Sequence, residues 1–291
     1  MIDLGTPPLW APPKPAIIRA SRIEKAPLPI AVTVPGTVPV VGNQGGTAIN
    51  ILRRLNLTSN LVLCLDATDA ASYPGSGQTW SDMSGQGNDF YLGANNTATT
   101  DDPTFNSTPP KNFSCDGGDY FTLTVANPTW VKNVSKDNAA VTLGIWANIA
   151  TSMAFFGDQV TNDNSVGFGW RASSTTQAFR VGDGSAQPLA VTSATTVGPL
   201  ASTNAFYAVV INEAAGTGFF LRNLVTDSFT STYSSPSASD AGTALQIGAR
   251  GANRSPTATG SVFYVIVAWS AALSGTQLFS FYQATRTLFG I

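Results

Sequence analysis

The residues best suited to chemistry in this chain lie in the stretch LVLCLDATDAASYPGSGQTWSDMSGQGNDFYL, residues 61–92. An apolar run ends at Asp66, and a loop rich in Gly, Ser, Asp and Asn follows it. Calcium prefers several carboxylate and carbonyl oxygens. The aspartates that could supply them are Asp66, Asp69, Asp82, Asp89, Asp116 and Asp119. The same side chains stabilise tight turns by bonding to nearby backbone, so the sequence favours a structural loop without a cofactor, with a calcium site as the alternative.

In this loop Trp80 is expected to pack over the sheet edge, with its ring N–H bonded to a backbone carbonyl.

Sugar recognition is a second kind of chemistry that the sequence allows. Sugars stack on aromatic faces, while short polar side chains bind their hydroxyl groups. The candidates are Trp130, Trp170 with Arg171, and the polar stretch DQVTNDNS, residues 158–165. Trp170 itself lies within an apolar run, as do two other tryptophans, which favours core packing for these three.

Absent and rare residue types limit the catalytic systems that the chain can build. It has no histidine, which removes Ser-His-Asp and Cys-His nucleophiles and the commonest zinc ligand. Glutamate occurs only at Glu24 and Glu213, which weakens but does not exclude a two-carboxylate glycosidase built from aspartates. Cys64 and Cys115 lie in apolar runs and are predicted to be buried thiols, with a disulfide between them as the alternative.

The elements that must position these side chains are predicted to be β-strands. From residue 59 onward, short apolar runs such as AVTLGIWANI and VFYVIVAWSA alternate with turn clusters such as PGSG, GQGND and DGGD. Many short strands with little helix predict an all-β, antiparallel, two-sheet sandwich. A short C-terminal helix is expected in SGTQLFSFYQATRTLF, with Ser274 as its N-cap and Leu278, Phe279 and Tyr282 on one face.

Residues 1–46 differ from the rest and are predicted to form an extended, proline-rich arm. They hold nine of the eighteen prolines, which block helix and interior-strand hydrogen bonding. Residues 1–58 carry six basic and two acidic groups, whereas the remainder is net negative, so the arm is expected to bind an acidic partner surface. Its predicted partner-binding residues are Trp10, Ile17, Ile18, Arg19, Arg22 and Val38.

Residues 47–58 are predicted to form a short helical linker, followed by one domain over residues 59–291. A chain shortened to begin near residue 55 is therefore expected to fold. The N-terminus lacks the basic and apolar regions of a secretory signal, and the apolar run over 262–269 is too short to span a bilayer. No membrane partner is therefore expected, and because the arm has no dense Lys/Arg run, no nucleic-acid partner is expected either.

Several motifs of the body together carry a family resemblance. Residues 61–92 and the later FSCDGGDYFTL contain an aliphatic strand ending in Asp-Ala, a Tyr-Pro-Gly-Ser-Gly loop, a Trp, an Asp-x-Ser-Gly-x-Gly-Asn turn and a strand with Asp-Gly-x-Asp-Tyr. VTLGIWANI, LQIGARG and the closing VFYVIVAWSAALSGTQLFSFYQATRTLFG add further matches. In these features the chain resembles the concanavalin A-like, laminin-G-like domains of tailed-phage virion proteins. The resemblance covers most of residues 59–291 and implies a two-sheet jelly roll of concanavalin A type.

The resemblance also implies a function. The expected role is a phage virion structural protein, a capsid decoration or tail-associated component, whose arm binds neighbouring virion subunits and whose jelly roll is exposed. It implies assembly in the host cytoplasm, localisation in the virion and a homo-oligomer in the particle. The alternative is a carbohydrate-binding receptor module of a tail or head fibre that recognises host surface glycans. The Glu-x-Asp-x-x-Glu pattern of glucanases in this superfamily is missing, so an enzyme is not expected.

Overall fold

The β-sandwich expected from the sequence is present in the computed structural model, which describes residues 46–150, 152–173, 175–199, 203–251 and 259–291. Two antiparallel sheets pack face to face, and two helices cover the outer face of one of them. The prediction of an all-β sandwich with a short C-terminal helix is confirmed. Apart from Gly46, the predicted arm lies outside the described residues.

Sixteen strands occur in the described part of the chain: β1 Leu61–Asp66, β2 Thr79–Trp80, β3 Phe90–Leu92, β4 Thr104–Asn106, β5 Asn112–Ser114, β6 Phe121–Leu123, β7 Ala140–Asn148, β8 Met153–Gly157, β9 Gly167–Ala172, β10 Gln177–Gly182, β11 Leu189–Thr192, β12 Asn204–Asn212, β13 Thr217–Arg222, β14 Val225–Thr230, β15 Gln246–Ile247 and β16 Val262–Trp269. The α-helices are α1 Ala48–Arg54, α2 Thr129–Asn133 and α3 Gly275–Thr285. Short 3-10 turns occur at Thr195–Val197 and Arg286–Phe289.

The strands form two sheets of eight. Sheet I has the order β14-β13-β12-β7-β16-β5-β4, and β1 also pairs with β16. Sheet II has the order β11-β10-β9-β8-β15-β6-β3-β2. Because β7 pairs along the whole of β16, strands β1 and β5 share the other edge of β16, each beside a different part of it.

The first hydrophobic core lies between the two sheets. Successive side chains of a strand point to opposite faces, so every second residue enters this core. In β9, Phe168 and Trp170 point inward, and Arg171 points outward. The large aromatic side chains of this core bury much of the apolar area that stabilises the sandwich.

A second hydrophobic core lies between sheet I and helices α1 and α3. Trp146 of β7 stacks on Tyr282 of α3 with ring centroids 5.6 Å apart, and its Nε1–H donates to Thr285 Oγ1 at 2.9 Å. Trp269 of β16 donates to the Leu57 carbonyl at 2.7 Å. Since both faces of sheet I are covered, β7 and β16 are apolar at nearly every position instead of alternating.

Helix α1 is part of this second core. The predicted short helix is present, and its apolar side chains are at most 4% exposed: Ala48, Ile49, Ile51 and Leu52. A chain that began near residue 55 would lose these side chains and expose the sheet face that they cover. The starting point expected from the sequence is therefore too late, and a shortened chain should begin at Gly46. The division into arm, linker and domain stays a prediction.

Helix α3 begins at the residue that the sequence predicts. Ser274 Oγ accepts from the Gln277 N–H at 3.3 Å, and Gln277 Oε1 accepts from the Ser274 N–H at 2.9 Å, which together make a capping box. Leu278 and Tyr282 are buried as predicted. Phe281 completes the buried face, and Phe279 is only partly buried. No helix among the described residues is long and apolar enough to cross a membrane.

The two cysteines lie in different cores. Cys64 faces the second core and Cys115 faces the first, and both are buried thiols with no disulfide between them. Burial, together with the negative charges of Asp66 and Asp82, raises the pKa of the Cys64 thiol well above its usual value. The prediction of two buried thiols is confirmed, and the disulfide alternative is wrong.

Candidate functional site

The loop after β1 is a set of hydrogen-bonded turns around Asp82. Asp82 Oδ1 accepts from the N–H groups of Cys64 and Ser84 at 2.8 and 2.9 Å. Its Oδ2 accepts from Ser84 Oγ at 2.6 Å and from the Asn88 N–H at 3.1 Å. Asp89 Oδ1 accepts from the Asp82 N–H at 2.7 Å. These oxygens hold the loop in shape, as the sequence predicts.

Asp66 attaches helix α1 to the end of β1. Its Oδ2 accepts from the Ala48 N–H at 2.7 Å, and its Oδ1 accepts from the N–H and Oγ1–H of Thr68 at 2.8 and 2.6 Å. Thr47 makes no side-chain cap hydrogen bond, so Asp66 serves the first turn of α1 instead. Burial raises the pKa of Asp66 above its usual value, although the hydrogen bonds from Ala48 and Thr68 oppose the rise.

Three of the aspartates considered as calcium ligands use their carboxylate oxygens in hydrogen bonds of the fold. The carboxylate oxygens of Asp66, Asp82 and Asp89 already accept N–H and O–H groups, whereas calcium needs several oxygens directed at one point. Asp119 Oδ2 accepts from the Asp116 N–H at 2.7 Å, and burial raises the pKa of Asp119 to about 6. Within the described ranges, no group of three or more His, Cys, Asp or Glu side chains could hold a metal ion.

The tryptophans singled out from the sequence have different surroundings. Trp80 is fully buried, but its Nε1–H has no hydrogen-bond partner among the described residues, so the predicted bond to a carbonyl is wrong. Trp170 is also fully buried and donates to Gln177 Oε1 at 3.1 Å. A ring with no exposed face cannot stack on a sugar, so the structure excludes that role for Trp170. Trp130 is 8% exposed and lines a surface cavity.

The cavity beside Trp130 has a volume of about 440 Å³ and lies where β6 leads into α2. Its polar lining is formed by Gln86, Asn88, Thr129, Asn133 and Ser270. The volume falls in the range of roughly 300–1,000 Å³ that is typical of small-molecule sites. An aromatic ring surrounded by amide and hydroxyl side chains suits a polar ligand that carries many hydroxyl groups.

Several hydrogen-bonding groups at this cavity are not used by the fold. The side chains of Gln86, Thr129 and Asn133 are exposed and make no hydrogen bond to other described residues. Trp130 Nε1 is buried and has no partner among those residues. Leaving a buried donor unpaired costs about 1–3 kcal/mol, so a ligand or water that accepts from it would be stabilised. Asn88 Nδ2, in contrast, donates to a β1 carbonyl at 2.6 Å and supports the cavity wall.

A second polar surface, the arginine cluster, lies on the outer face of sheet II and consists of Arg171, Arg180 and Arg250 around Asp163. Arg171 Nη1 donates to Asp163 Oδ1 at 2.8 Å, and Arg250 Nη1 donates to the same oxygen. Arg250 Nη1 also donates to Gln159 Oε1 at 3.1 Å. Burial acts to raise the pKa of Asp163, but Arg250 and Arg171 outweigh it and hold that pKa below its usual value.

Arg180 is the most enclosed of the three guanidinium groups. Its Nε lies 4.0 Å from Asp163 Oδ2, and its Nη2 donates to Thr192 Oγ1 at 2.8 Å. Its Nη1 donates to backbone carbonyls of β10 and β11. Burial and the nearby charges of Arg171 and Arg250 lower the pKa of Arg180, although Asp163 opposes this. The cluster therefore places three guanidinium groups around one carboxylate, with Arg180 the most enclosed of them.

Two glycines let the arginine cluster lie close to the sheet. Gly157 of β8 and Gly169 of β9 pair with each other on the outer face. A Cβ atom on Gly157 would lie 2.7 Å from Arg250 Cβ, and one on Gly169 would lie 2.8 Å from Gln159 Oε1. Because neither glycine has a side chain, Arg250 and Gln159 rest directly on the strand backbones.

The arginine cluster joins two parts of the sequence prediction and adds two residues to it. Arg171 and the polar stretch 158–165, both predicted as sugar-binding elements, meet through Asp163. Arg180 and Arg250 were not predicted. Arg180 had a signal in the sequence, because it stands between two inward-facing residues of β10 and must point outward. Arg250 follows β15 and has no such signal.

Asp158 connects the loop of the arginine cluster to the segment that leads into the Trp130 cavity. Its Oδ1 accepts from the Phe168 N–H at 2.8 Å, and its Oδ2 accepts from Asn127 Nδ2 at 3.3 Å. Asn127 directly precedes Pro128 and helix α2, so both polar surfaces lie at the same end of the sandwich. Burial raises the pKa of Asp158 to about 8, so this side chain is a neutral acid at pH 7.

Glu213 belongs to neither polar surface. Its Oε2 accepts from the Asn138 N–H at 2.7 Å, and its Oε1 accepts from the Tyr233 N–H at 3.3 Å. The carboxylate therefore ties loops together. The arm residues predicted to bind a partner lie outside the described residues, and their role stays a prediction: Trp10, Ile17, Ile18, Arg19, Arg22 and Val38.

Solved structures with a similar fold include sugar-bound proteins. Trypanosoma rangeli sialidase in complex with sialic acid matches with a TM-score of 0.53 at 12% identity, over 83% of this chain and 38% of that chain. The ligand binding domain of botulinum neurotoxin serotype D in complex with N-acetylneuraminic acid matches with a TM-score of 0.54 at 12% identity, over 78% of this chain and 51% of that chain. The binding domain of botulinum neurotoxin DC in complex with SialylT matches with a TM-score of 0.53 at 10% identity, over 79% of this chain and 52% of that chain.

These similarities concern the fold alone, since the sequence identities are 10–12%. The chain spans about a third to a half of the length of those three structures. No protein-family model matches the sequence, and no curated protein matches it either. The similarities give no support to the predicted virion role, and the presence of a sialidase among them does not decide for or against catalysis. The chain shares a lectin-like, jelly-roll sandwich with a sialidase and with toxin binding domains.

Proposed function

We propose that the sandwich is a non-catalytic carbohydrate-binding module that holds a saccharide in the cavity beside Trp130. The observation that carries this proposal is the set of hydrogen-bonding groups left unused there. Gln86, Thr129 and Asn133 line the cavity with side-chain donors and acceptors that bond to no other described residue, and Trp130 Nε1 is buried without a described partner. A saccharide supplies many hydroxyl groups, each of which can donate and accept.

The chemistry of the cavity also fits the way in which sugars are held. Binding sites of this size combine apolar surface with a few well-placed polar groups that fix the orientation of the ligand. Trp130 and Pro128 supply the apolar wall here, and the amide side chains supply the polar groups. The wall is supported from behind by Asn88, so the site is held by the fold and not only by mobile side chains.

The comparisons favour a saccharide as the class of ligand. The three solved proteins named above were determined with sialic acid, N-acetylneuraminic acid or SialylT bound. Those ligands belong to those proteins, and the low identity carries no binding residue across to this chain. They support the proposal because a lectin-like sandwich is a common framework for recognising sugars.

The test is glycan binding by the full chain. We expect saturable binding to members of a glycan array, followed by isothermal titration with the best ligand. Gln86→Ala and Asn133→Ala should each weaken binding by roughly 2- to 10-fold, the range expected for loss of one neutral hydrogen bond. Gln283→Ala, at an exposed position of α3 far from the cavity in the fold, is the matched control and should bind as the unchanged protein does.

Trp130→Phe separates hydrogen bonding from ring packing, because it removes the indole N–H and keeps an aromatic ring. Its affinity should also fall, while its circular dichroism spectrum and its thermal unfolding show whether the fold is retained. A glycan array on which the full chain binds nothing would contradict the proposal. Equal affinity of the Gln86 and Asn133 variants and the unchanged protein would place the saccharide elsewhere.

The virion setting expected from the motif resemblance remains a separate proposal. In it the arm would anchor the protein to other virion subunits, in several copies, while the sandwich binds host glycans. Its support is the sequence of the arm and the opening motif of the body. A chain that begins at Gly46 keeps helix α1 and should fold, but it should fail to join phage particles. Normal incorporation of that shortened chain would exclude the arm as the anchor.

A further inference from the structure

The arginine cluster carries more positive than negative charge. Three guanidinium groups meet at one carboxylate, and Asp163 is the acidic side chain within ion-pair distance of them among the described residues. Asp158, the nearest buried acid in the same loop, is held neutral by burial at pH 7. Like charges this close destabilise one another unless an anion joins them.

The arginine cluster also has N–H donors that make no hydrogen bond to the described residues. A guanidinium group has five N–H donors. Arg171 donates through Nη1 alone among the described residues, so its Nε and Nη2 make no hydrogen bond to any of them. The side chain of Arg171 is 34% exposed, whereas those of Arg180 and Arg250 are 14 and 15% exposed. Arg171 is therefore the arginine that an incoming ligand reaches first.

The cluster is held in place by the fold, so that its donors are oriented before a ligand arrives. Gly157 and Gly169 let Arg250 and Gln159 lie flat on the sheet. Gln159 Nε2 donates to the Asp163 carbonyl at 2.9 Å. Asp163 in turn bonds to Arg171 and Arg250. An oriented guanidinium is worth more to binding than a flexible one, because less side-chain entropy is lost.

We propose that the arginine cluster is an anion-binding site for the carboxylate or sulfate group of an acidic glycan. Planar guanidinium groups bind such oxyanions through two parallel N–H···O bonds, whereas the ammonium group of a lysine acts only as a point charge. All three cations around Asp163 are arginines. The glycan part of this assignment rests on the proposed function; the anion part rests on the charges and donors of the cluster itself.

The position of the cluster suits a ligand that extends from the first site. The arginine cluster and the Trp130 cavity lie at the same end of the sandwich, and Asp158 and Asn127 connect the segments that carry them. One oligosaccharide could then place neutral hydroxyl groups in the cavity and its acidic group on the arginines. Such a ligand would bind more tightly than either part alone.

The experiment measures the affinity of the full chain for glycans that carry an acidic group and for glycans that do not. The probes are lactose, sialyllactose and sulfated lactose, together with a wider array of neutral, carboxylated and sulfated glycans. We expect the acidic members to bind more tightly than the neutral ones, with an affinity that falls as salt rises. Arg171→Gln should weaken binding of the acidic glycans roughly 10-fold or more, because a charged hydrogen bond is lost. Arg171→Lys should restore only part of it, since a lysine cannot make the paired bonds.

Arg53→Gln is the matched control, because Arg53 is an exposed arginine on α1, outside the cluster. It should not change glycan affinity. Binding of neutral glycans alone, unchanged by Arg171→Gln, would overturn the inference and leave the proposed function standing. Acidic glycans that bind equally well to Arg171→Gln and to the unchanged protein would also overturn it.

A second measurement decides the case in which no glycan binds, which would refute the proposed function. Sodium acetate and sodium sulfate are titrated while the side-chain N–H signals of the arginines are followed by NMR. Shifts confined to the cluster that saturate, and that are absent in Arg171→Gln, would support the anion site and remove the glycan from it. Signals that do not move with either salt would overturn the anion site as well.

Discussion

The buried carboxyl of Asp158 gives the protein a pH-dependent stability that can be measured without any ligand. The side chain is 1% exposed, and burial raises its pKa from 3.8 to about 8. The folded protein therefore keeps a proton on Asp158 at neutral pH, whereas the unfolded chain releases it. Asp158→Asn removes this titration and keeps the shape of the side chain.

The sign and size of the effect follow from linkage between proton binding and folding. Between pH 3.8 and about 8 the folded state holds one more proton at Asp158 than the unfolded state does. The stability contributed by this proton is complete below pH 3.8 and is lost as the pH rises towards 8. The loss is about 1.4 kcal/mol per pH unit, or about 3 kcal/mol between pH 5 and pH 7.

The hydrogen bonds of Asp158 indicate that the fold will tolerate an asparagine at this position. Oδ1 accepts from the Phe168 N–H, and the amide oxygen of the variant can do the same. The amide nitrogen takes the position of Oδ2 and cannot accept the 3.3 Å hydrogen bond that Asn127 Nδ2 donates there, so the variant loses this one bond equally at every pH. Asp158→Ala, in contrast, leaves the Phe168 N–H without an acceptor, so at each pH it should be less stable than Asp158→Asn by about 1–3 kcal/mol.

The assay is urea unfolding followed by tryptophan fluorescence at pH 5, 6 and 7. The measured quantity is the difference in free energy of unfolding between Asp158→Asn and the unchanged protein. We expect this difference to move by about 3 kcal/mol in favour of the variant from pH 5 to pH 7. Gln283→Ala, which changes no ionisable group and lies at an exposed position, should give a difference that does not change with pH. The same flat result for Asp158→Asn would refute the reasoning.

Three further substitutions test the fold. Asp66→Ala removes the acceptor of the Ala48 N–H, so it should lower the free energy of unfolding by about 2 kcal/mol and speed hydrogen exchange at that amide. Unchanged exchange at the Ala48 amide would contradict the role of Asp66 at α1. Gly198→Ala should lower the free energy of unfolding by about 3 kcal/mol or more, because its Cβ would lie 1.8 Å from a carbonyl oxygen. The control in the thermal unfolding assay is Gly118→Ala, whose Cβ meets nothing within 4 Å. Gln177→Leu should cost at least about 2 kcal/mol in urea unfolding, since one buried indole N–H loses its acceptor and the buried Val197 and Leu221 carbonyls lose a side-chain donor. A smaller loss would show that water replaces the amide.

The sequence was sufficient to predict the class of fold and most of the long strands. Runs such as AVTLGIWANI and VFYVIVAWSA are apolar over the whole length of β7 and β16, and no other element suits them between such dense turn signals. The capping residue Ser274 was readable because capping is a local interaction within one turn of chain. Local chemistry and strong periodicity are what a single sequence expresses most directly.

Short and polar elements could not be predicted in the same way. Strands β2, β3, β4 and β11 have two to four residues each, too few for a period to be recognised. Strand β14, VTDSFT, is largely polar and is exposed at four of its six positions, because it is the edge of sheet I. Its strand conformation comes from pairing with β13 and not from its own composition.

The two polar surfaces show where sequence reasoning ends. The types of their residues were visible, and Trp130, Arg171 and the stretch 158–165 were predicted from type alone. The apolar run around Trp170 already favoured core packing, and the tertiary structure places Arg171 on the opposite, outer face. The tertiary structure also decided that Arg180 and Arg250, 70 residues apart in the chain, meet at Asp163. The residue types can be read directly from the sequence. Which side chains share a face is determined by the pairing of distant strands, and that pairing depends on the whole sandwich.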